Sequence, residues 1–232
     1  MLTHKQIITL ANIGKLKIKC CDSIPIAVSP IKYNDIIYPY EDFKREMGLD
    51  DLRLNWLLGK NNMIAGGSVL NWIWGEKTNG DIDFFFRNEE SADIFTEFIK
   101  GIGFKLVKET GYALTYFEQL QGLILQVVGN PNETPYIKDN NFIAYGTPQE
   151  IIENFDIYVC KFAVDSDYVY TTSRAIQDLL KMTVDYSSNE KRNVLSRLFK
   201  YVHKGFYPSS KIKRFIKYDE PIFMESKNTK WI

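Results

Sequence analysis

The feature that most constrains this chain is a glycine pair followed at a short interval by a pair of aspartates. The Gly66-Gly67-Ser68 turn leads into an apolar stretch that predicts a helix, and Asp81-Ile82-Asp83 begins thirteen residues after the serine. The apolar residues 84–86 follow and predict a buried strand. Because residues two apart in a strand point to the same face, we expect both carboxylates on one side of it.

This pattern is typical of a site for a metal ion and a phosphate. Two carboxylates that converge are costly to leave unpaired, and a divalent cation removes that cost. Ligand sets made only of oxygen suit Mg²⁺, or Mn²⁺ in its place. Glycine lets the backbone approach an anion closely, and the first N–H groups of a helix can face phosphates. Each half of the pattern alone is more often a plain turn or a solvated strand end, so the combination carries the prediction.

Both halves resemble the motifs of the nucleotidyltransferase superfamily, whose fold is that of DNA polymerase beta. The matching residues are Ile64-Ala65-Gly66-Gly67-Ser68 and Asp81-Ile82-Asp83-Phe84. Three later segments, at 111–115, 125–128 and 154–160, are similar to a nucleotidyltransferase-like group that is common in phages and large DNA viruses. The resemblance covers residues 60–205.

The resemblance implies a fold, an activity and a set of site residues. The fold class is α/β (α+β), a mixed sheet with packed helices and a helical C-terminal region. The activity is metal-dependent transfer of a nucleoside monophosphate from an NTP, such as ATP, to a hydroxyl of an RNA end, a nucleotide or a protein, with release of pyrophosphate. The catalytic residues and metal ligands would be Asp81, Asp83 and Asp156, and the triphosphate would bind at Gly66, Gly67 and Ser68.

The superfamily places a third acid on a strand beside the acid pair, and the sequence offers two positions for it. Gln126 lies in an apolar strand context, but an amide cannot act as a base and is a weaker metal ligand than a carboxylate. Asp156 begins an apolar run that predicts a strand over 156–164, although it could simply mark a helix-to-strand turn. We therefore predict Asp156 as the third acid. Finding Gln126 beside the pair instead would favour a module with little or no turnover.

Basic side chains should complete the site, because an NTP brings about four negative charges and metal ions neutralise only part of them. Arg197, Lys200 and Lys204 fall at helical spacings of three and four, so they share one helix face. We predict the first two as nucleotide-binding residues, with a solvated helix face as the alternative for each. A second basic cluster at 211–217 could track a nucleic-acid backbone or form a soluble tail.

The length and composition of the chain limit the remaining options. The 232 residues suit one moderate domain, and we place a nucleotidyltransferase-like core at 1–170 and a helical region with a tail at 171–232. Basic and acidic residues balance at 29 each, so no overall charge indicates nucleic acid. Three cysteines and two histidines form neither a disulfide framework nor a zinc pattern. Without a signal peptide or a membrane-spanning run, we expect a cytoplasmic protein with no membrane contact, in the host cytoplasm if it is phage-encoded.

The periodicity of apolar residues predicts the order of the elements. Extended segments are expected at 24–28 and 35–38, a helix with a break at Gly48 over 40–58, and a strand at 61–65. After the acid pair we expect a helix over 91–101, strands at 104–107, 113–117 and 123–128, and a loop as far as 147. The residues Thr147-Pro148-Gln149-Glu150 are typical of a helix start with a capping box. Helices are expected from 173 to 205.

Three hypotheses follow from these observations. The first is an active metal-dependent nucleotidyltransferase. The second is a nucleotidyltransferase-fold module that has lost turnover and binds a nucleotide, RNA or a protein partner, which Gln126 favours. The third is a structural protein in which Asp81 and Asp83 only cap a strand. Metal-dependent nucleotide binding would separate the third hypothesis from the others, and turnover would separate the first from the second.

Overall fold

The chain is built around one eight-stranded mixed sheet, described by a computed structural model for residues 2–16, 18–21, 24–27, 35–52, 54–75, 81–129, 143–187 and 194–213. Within these residues the helices are α1 (His4–Ile13), α2 (Tyr40–Met47), α3 (Gly67–Trp74), α4 (Glu89–Gly101), α5 (Pro148–Glu153), α6 (Ser173–Leu180) and α7 (Val194–His203). The strands are β1 (Ile18–Cys21), β2 (Ile24–Ala27), β3 (Asp35–Pro39), β4 (Asn62–Ala65), β5 (Ile82–Phe86), β6 (Lys105–Glu109), β7 (Ala113–Glu118), β8 (Leu123–Val128), β9 (Phe162–Val164), β10 (Tyr168–Thr172), β11 (Thr183–Val184) and β12 (Tyr207–Pro208).

The order of strands in the large sheet is β3-β10-β9-β4-β5-β8-β7-β6. The central strands β5 and β8 run parallel, and all other neighbours in this sheet are antiparallel. The mixed α/β fold predicted from the sequence is therefore confirmed. No helix of the described residues is long and apolar enough to cross a membrane.

The two faces of strand β5 have different surroundings. On one face, Phe84 and Phe86 pack in the main hydrophobic core together with α3 and α4. On the other face, Phe85 packs in a smaller cluster that includes Ile151 of α5. Since side chains alternate along a strand, Asp83 lies on the face of this smaller cluster. The candidate site therefore forms on the less thickly covered side of the sheet.

Local sequence signals set the ends of α3 and the start of α5, two of the helices that contribute residues to the candidate site. Glycine at 66 precedes α3, and Gly75, with a φ of 75°, ends it in the left-handed conformation that glycine adopts easily. Helix α5 begins with the predicted capping box, in which the Thr147 side chain accepts from the Glu150 N–H and the Glu150 side chain accepts from the Thr147 N–H. These signals were readable from the sequence because they are local.

Three predictions about elements need correction or refinement. The helix expected over 40–58 ends at Met47, because Gly48 takes a left-handed conformation, and only one 3₁₀ turn follows at Asn55–Leu57. The strand expected over 156–164 is reduced to β9, since Tyr158–Cys160 forms a 3₁₀ turn. The predicted helical C-terminal region holds α6 and α7 but also two short strands, and the domain boundary at 170 stays a prediction.

The other extended segments agree with the structure. The segments predicted at 24–28 and 35–38 contain β2 and β3, and the predicted strand at 61–65 contains β4. Most of the predicted loop at 129–147 lies outside the described residues, as do positions 214–217 of the second basic cluster.

Candidate active site

The turn between β4 and α3 requires glycine at its first position. Gly66 has a φ of 82° and a ψ of −138°, a backbone conformation that is strained for any residue with a Cβ atom. Its N–H donates to the Phe162 carbonyl oxygen at 2.9 Å, and a Cβ here would lie 3.4 Å from the Phe155 ring. The Ser68 hydroxyl donates to the Asp81 carbonyl oxygen at 3.2 Å. This hydrogen bond holds the start of α3 beside the start of β5, so the glycine turn and the aspartate pair lie close together.

The two aspartates of the second motif lie on one face at the start of β5. Asp81 is exposed and Asp83 is partly buried. Burial, and then the negative charge of Asp81, raise the pKa of Asp83 to about 7, while Lys200 and Arg197 act in the opposite direction. Neither acid forms an ion pair with a side chain of the described residues. The pair is thus an uncompensated concentration of negative charge.

Gln126 is the neighbour of this pair on the adjacent parallel strand. In the register of β5 and β8 it lies opposite Asp83, and its Nε2 donates to Oδ2 of Asp81 at 2.6 Å. The amide therefore fixes the orientation of one carboxylate without adding a charge. The position that the sequence analysis considered for a third acid is beside the pair, and it holds an amide.

Asp156 occupies a different environment from the one predicted for it. It precedes the 3₁₀ turn instead of opening a strand, and the neighbours of β5 in the sheet are β4 and β8. Its side chain is 1% exposed, and Oδ2 accepts from Nη1 of Arg197 at 2.6 Å. Oδ1 is buried and has no hydrogen-bond partner among the described residues. The condition on which Asp156 would complete the acid pair, a strand of its own beside β5, is therefore not met in the sheet.

A cluster of three acids is not formed among the described residues. No group of three or more His, Cys, Asp or Glu side chains in that part of the chain could hold a metal ion. The expected set of Asp81, Asp83 and Asp156 therefore reduces to a pair with an amide beside it. The pair still suits Mg²⁺ or Mn²⁺, because both donors are carboxylate oxygens on one face, and burial together with the charge of Asp81 raises the pKa of Asp83.

A cavity of about 640 Å³ brings the predicted site residues together. Its polar wall contains all eight residues that the sequence analysis selected: Gly66, Gly67, Ser68, Asp81, Asp83, Asp156, Arg197 and Lys200. Arg197 and Lys200 project from α7, and both are exposed. Lys200 forms no ion pair within the part of the chain that the structure describes. The cavity thus opposes negative charge on β5 with positive charge on α7.

Helix α7 is held against the glycine turn by residues that the sequence analysis did not select. The Tyr201 hydroxyl hydrogen-bonds the buried Cys160 side chain, and it would lie 3.3 Å from a Cβ on Gly67. One turn further, the Lys204 ammonium donates to the Asn71 amide oxygen of α3. Tyr201, Cys160 and Asn71 all line the cavity. No sequence motif marks them, since their roles depend on contacts between distant segments.

Part of the cavity lining, next to Asp83 on the same face of β5, is apolar. Phe85 of β5 and Phe155 form a tilted aromatic pair with ring centroids 5.7 Å apart, and Val128 and Tyr112 continue the wall. The apolar run at 84–86 predicts a buried strand, and nothing in the sequence indicates a role for Phe85 in a site. A flat apolar ligand group would find contacts here, next to the charged wall.

Comparison with solved structures identifies the fold as that of nucleotidyltransferases. A CCA-adding enzyme in its apo form I aligns with a TM-score of 0.57 and 19% identity, over 78% of this chain and 45% of that one. The Thermotoga maritima CCA-adding enzyme complexed with tRNA aligns with a TM-score of 0.56, also at 19% identity and with the same coverage. The CCA-adding enzyme with CTP gives 0.57, at 19% identity over 78% and 46% of the two chains. The chain spans less than half the length of these structures.

The family is shown by a second comparison. The model of the Gad2 family, described as Gabija anti-defense 2 family protein, matches residues 40–182, and the chain belongs to this family. The match includes both motifs of the acid pair and the loop of Asp156, and it ends before α7. No curated protein matches the chain significantly. The superfamily fold predicted from the sequence is confirmed, while the phage and large-virus subgroup stays a prediction.

Proposed function

We propose that this protein is a metal-dependent nucleotidyltransferase that moves a nucleoside monophosphate from an NTP to an acceptor hydroxyl. The observation that carries the proposal is the arrangement within one cavity. Asp81 and Asp83 lie on one wall, Arg197 and Lys200 on another, and the glycine turn at the start of α3 lies in the same cavity. An NTP with its cation requires this combination of an acid pair, basic side chains and backbone N–H groups.

The residues divide the work of binding between them. The start of α3 offers N–H groups to the triphosphate, and Lys200 is available for a phosphate because it has no ion pair among the described residues. A cation held by Asp81 and Asp83 would neutralise part of the charge on the phosphates. The apolar wall at Phe85 and Phe155 suits the nucleobase.

The proposed reaction forms one bond and breaks one. The acceptor oxygen attacks the α-phosphorus of the NTP, the bond from that phosphorus to the β-phosphate oxygen breaks, and pyrophosphate leaves. The acceptor proton passes to solvent. Lys200 and Arg197 lie where they can stabilise negative charge on the leaving group. Such transfers depend mainly on positioning and charge stabilisation, so a site with two acids meets the principal requirement.

A second candidate function is nucleotide binding with little or no turnover. It is favoured by Gln126, which stands beside the acid pair where the superfamily carries a third acid. The ion pair between Arg197 and Asp156 also favours it. Asp156 is the residue that the sequence suggested as the third acid, and Arg197 already occupies one of its carboxylate oxygens. Both candidates share the same cavity and differ only in turnover.

The family description suggests the setting of this activity. We propose that the chain acts against a Gabija defence through the same cavity. Cells that carry such a defence should lose protection when they express the wild-type protein. They should keep it when they express Asp83→Asn at an equal level, because that variant loses one carboxylate of the pair. If both proteins abolish protection equally, the anti-defence role does not depend on the acid pair in the cavity, and this proposal is overturned.

The proposal is tested by incubating the pure protein with each NTP labelled at the α-phosphate, Mg²⁺ or Mn²⁺, and a pool of cellular RNA and protein. Transfer of label together with pyrophosphate release, absent in Asp83→Asn, supports the enzyme. Metal-dependent NTP binding without transfer supports the second candidate. In that case Gln126→Glu, which restores a third acid, should bring measurable transfer. Absence of any metal-dependent nucleotide binding would overturn both candidates.

A further inference from the structure

Basic residues are concentrated in one segment of this electrically neutral chain. Residues 191–218 contain nine lysines and arginines and no aspartate or glutamate, whereas the rest of the chain has 20 basic and 29 acidic residues. The described part of this segment, 194–213, contains Arg197, Lys200, His203, Lys204, Lys211 and Lys213. Local charge of one sign attracts polyanions even when the net charge of the protein is zero.

This basic segment begins inside the candidate site and continues outward from it. Arg197 and Lys200 line the cavity, and Lys204 is bound to Asn71, another residue of its wall. Further along, the Lys211 ammonium lies 3.9 Å above the Tyr186 ring and donates to the Tyr186 carbonyl oxygen at 3.2 Å. Tyr186 pairs with Ile157, the residue next to Asp156 of the cavity. Lys211 is thereby anchored close to the edge of the cavity.

An exposed aromatic side chain lies within the same segment. Tyr207 of β12 is 68% exposed, although its N–H donates to the Met182 carbonyl oxygen at 2.7 Å. The backbone at this position is therefore ordered by pairing with β11, while the ring stays in solvent. Aromatic rings placed among basic side chains are the usual means of binding single-stranded nucleic acid, because bases stack on the ring and phosphates contact the cations.

We propose that the acceptor for the transfer is a single-stranded nucleic acid whose backbone follows the basic segment at 194–213. This inference rests on the proposed function and specifies its acceptor. The strand contacts Lys211 and Lys213 through phosphates and stacks a base on Tyr207. Its terminal hydroxyl enters the cavity past Lys200. The alternative acceptors, a protein hydroxyl or a free nucleotide, would need neither the exposed ring nor the continuous run of cations.

The experiment measures binding of fluorescent 20-nucleotide RNA and DNA strands of one sequence to the full chain, in EDTA and without NTP. The wild type should bind, and log K should fall linearly as log salt rises. The double variant Lys211→Ala/Lys213→Ala should reduce that slope by about 1.4, the value for two phosphate contacts on a single strand. Tyr207→Ala should weaken binding roughly 5- to 100-fold at fixed salt, which corresponds to the loss of one stacked base.

A matched control is available on the edge strand β6. Lys105 and Lys108 are exposed and lie outside the cavity, so Lys105→Ala/Lys108→Ala removes the same charge and should bind as the wild type does. Preference for RNA over DNA, or equal binding of both, supports the inference and identifies the kind of strand. No binding of either strand at low salt overturns it, and so does an equal loss in the β6 control.

The same samples separate this inference from the proposed function. Asp83→Asn should bind the oligonucleotides as the wild type does, because it lies outside the basic segment, but it should lose metal-dependent NTP binding. A wild-type protein that binds NTP with metal and binds neither strand would retain the proposed function and overturn the nucleic-acid acceptor, leaving a protein or a nucleotide in its place. Thermal unfolding of every variant checks that Tyr207→Ala and the lysine variants are folded.

Discussion

Asp83 and Asp156 are two shielded carboxylates of one cavity, yet the fold treats them in opposite ways. Asp156 is almost fully buried, and an arginine from α7 compensates its charge directly. Asp83 is partly buried, has a second carboxylate as its nearest charged neighbour on the strand, and has no ion pair among the described side chains. Burial of charge is tolerated where a partner is supplied and is costly where it is not.

The difference indicates which of the two sites is prepared for a cation. At Asp156 the compensating charge is part of the chain, so a metal ion would have to displace or share Arg197. At Asp83 the charge is left without a bonded partner, and the raised pKa shows the resulting cost. An uncompensated pair of acids persists in a fold when a ligand completes it. We therefore propose that Asp81 and Asp83 would hold a metal ion and that Asp156 forms a structural ion pair with Arg197.

The largest expected effect comes from neutralising Asp83. In Asp83→Asn, metal-dependent NTP binding and any transfer should fall roughly 100-fold or more, because a charged ligand of the cation is lost. The metal-free protein should be as stable as the wild type or more so, since repulsion between like charges is removed. Calorimetric titration of Mn²⁺ and NTP and urea unfolding measure the two quantities. A stable variant that binds metal and NTP normally would refute the assignment.

The second effect comes from removing the charge of Arg197, which should lower the stability of the protein instead of preserving or raising it. In Arg197→Met the Asp156 carboxylate stays buried and loses the one side-chain partner that it has among the described residues. Unfolding should therefore become easier by about 2 kcal/mol, less than for a fully buried pair, because the Arg197 side chain is 54% exposed. Adding Asp156→Asn should recover most of this loss. Urea unfolding of both variants and of Asp156→Asn completes the cycle. Additive effects would show that the two charges do not stabilise each other.

The third effect is a difference in the pH dependence of stability between the wild type and Asp83→Asn. The pKa of Asp83 is about 7 in the folded, metal-free protein, whereas the ordinary value for an aspartate is 3.8. Between these two pH values the folded state keeps a proton on Asp83 that the unfolded state has released. Stability should therefore fall as pH rises from 5.5 to 8, by about 1 kcal/mol after allowance for partial exposure. Asp83→Asn should remove this part of the dependence.

Comparing the two proteins isolates Asp83 from other acids. Burial also raises the pKa of Asp178 to about 6, and its contribution has the same sign in both proteins and cancels in the difference. Saturating Mg²⁺ should flatten the wild-type profile, because the cation replaces the proton at the acid pair. Identical pH profiles for the wild type and Asp83→Asn without metal would mean that Asp83 is ionised throughout this range.

The sequence was a good guide to features set by neighbouring residues. The glycine turn, the start of α3, the shared face of Asp81 and Asp83 and the capping box of α5 all follow from residues within a few positions of one another. The helical spacing of Arg197 and Lys200 also predicts that they share one face of α7, and both line the cavity. In each case the physical cause is local geometry, which a sequence displays directly.

Features set by long-range pairing could not be predicted in the same way. One of the two neighbours of β5 is the parallel strand β8, which follows after β6 and β7 in the chain. Nothing in the sequence around Asp156 or Gln126 indicates which of these two residues will lie beside the acid pair. The apolar run after Asp156 is too short and too uniformly apolar for its periodicity to distinguish a strand from the 3₁₀ turn that forms, in which the adjacent residues Val159 and Cys160 are both buried. The role of Tyr201 depends on its contact with a residue more than 130 positions away.

The smallest expected effect concerns the contact that positions α7, the helix that supplies both the partner of Asp156 and the cation opposite Asp83. Gly67 lies in the first turn of α3 in a conformation that alanine can adopt, but a Cβ there would be 3.3 Å from the Tyr201 hydroxyl. In the wild-type background, Gly67→Ala should cost about 0.5 kcal/mol, because this crowding exceeds the gain in helix propensity. In a Tyr201→Phe background the hydroxyl is absent, so the same substitution should stabilise the protein by about 0.5 kcal/mol.

Urea unfolding of the four proteins measures the change of sign, and NTP binding by each shows whether moving α7 weakens the site. If Gly67→Ala has the same effect in both backgrounds, Tyr201 does not hold α7 at the glycine turn, and the basic wall must be positioned by Lys204 and Asn71 instead.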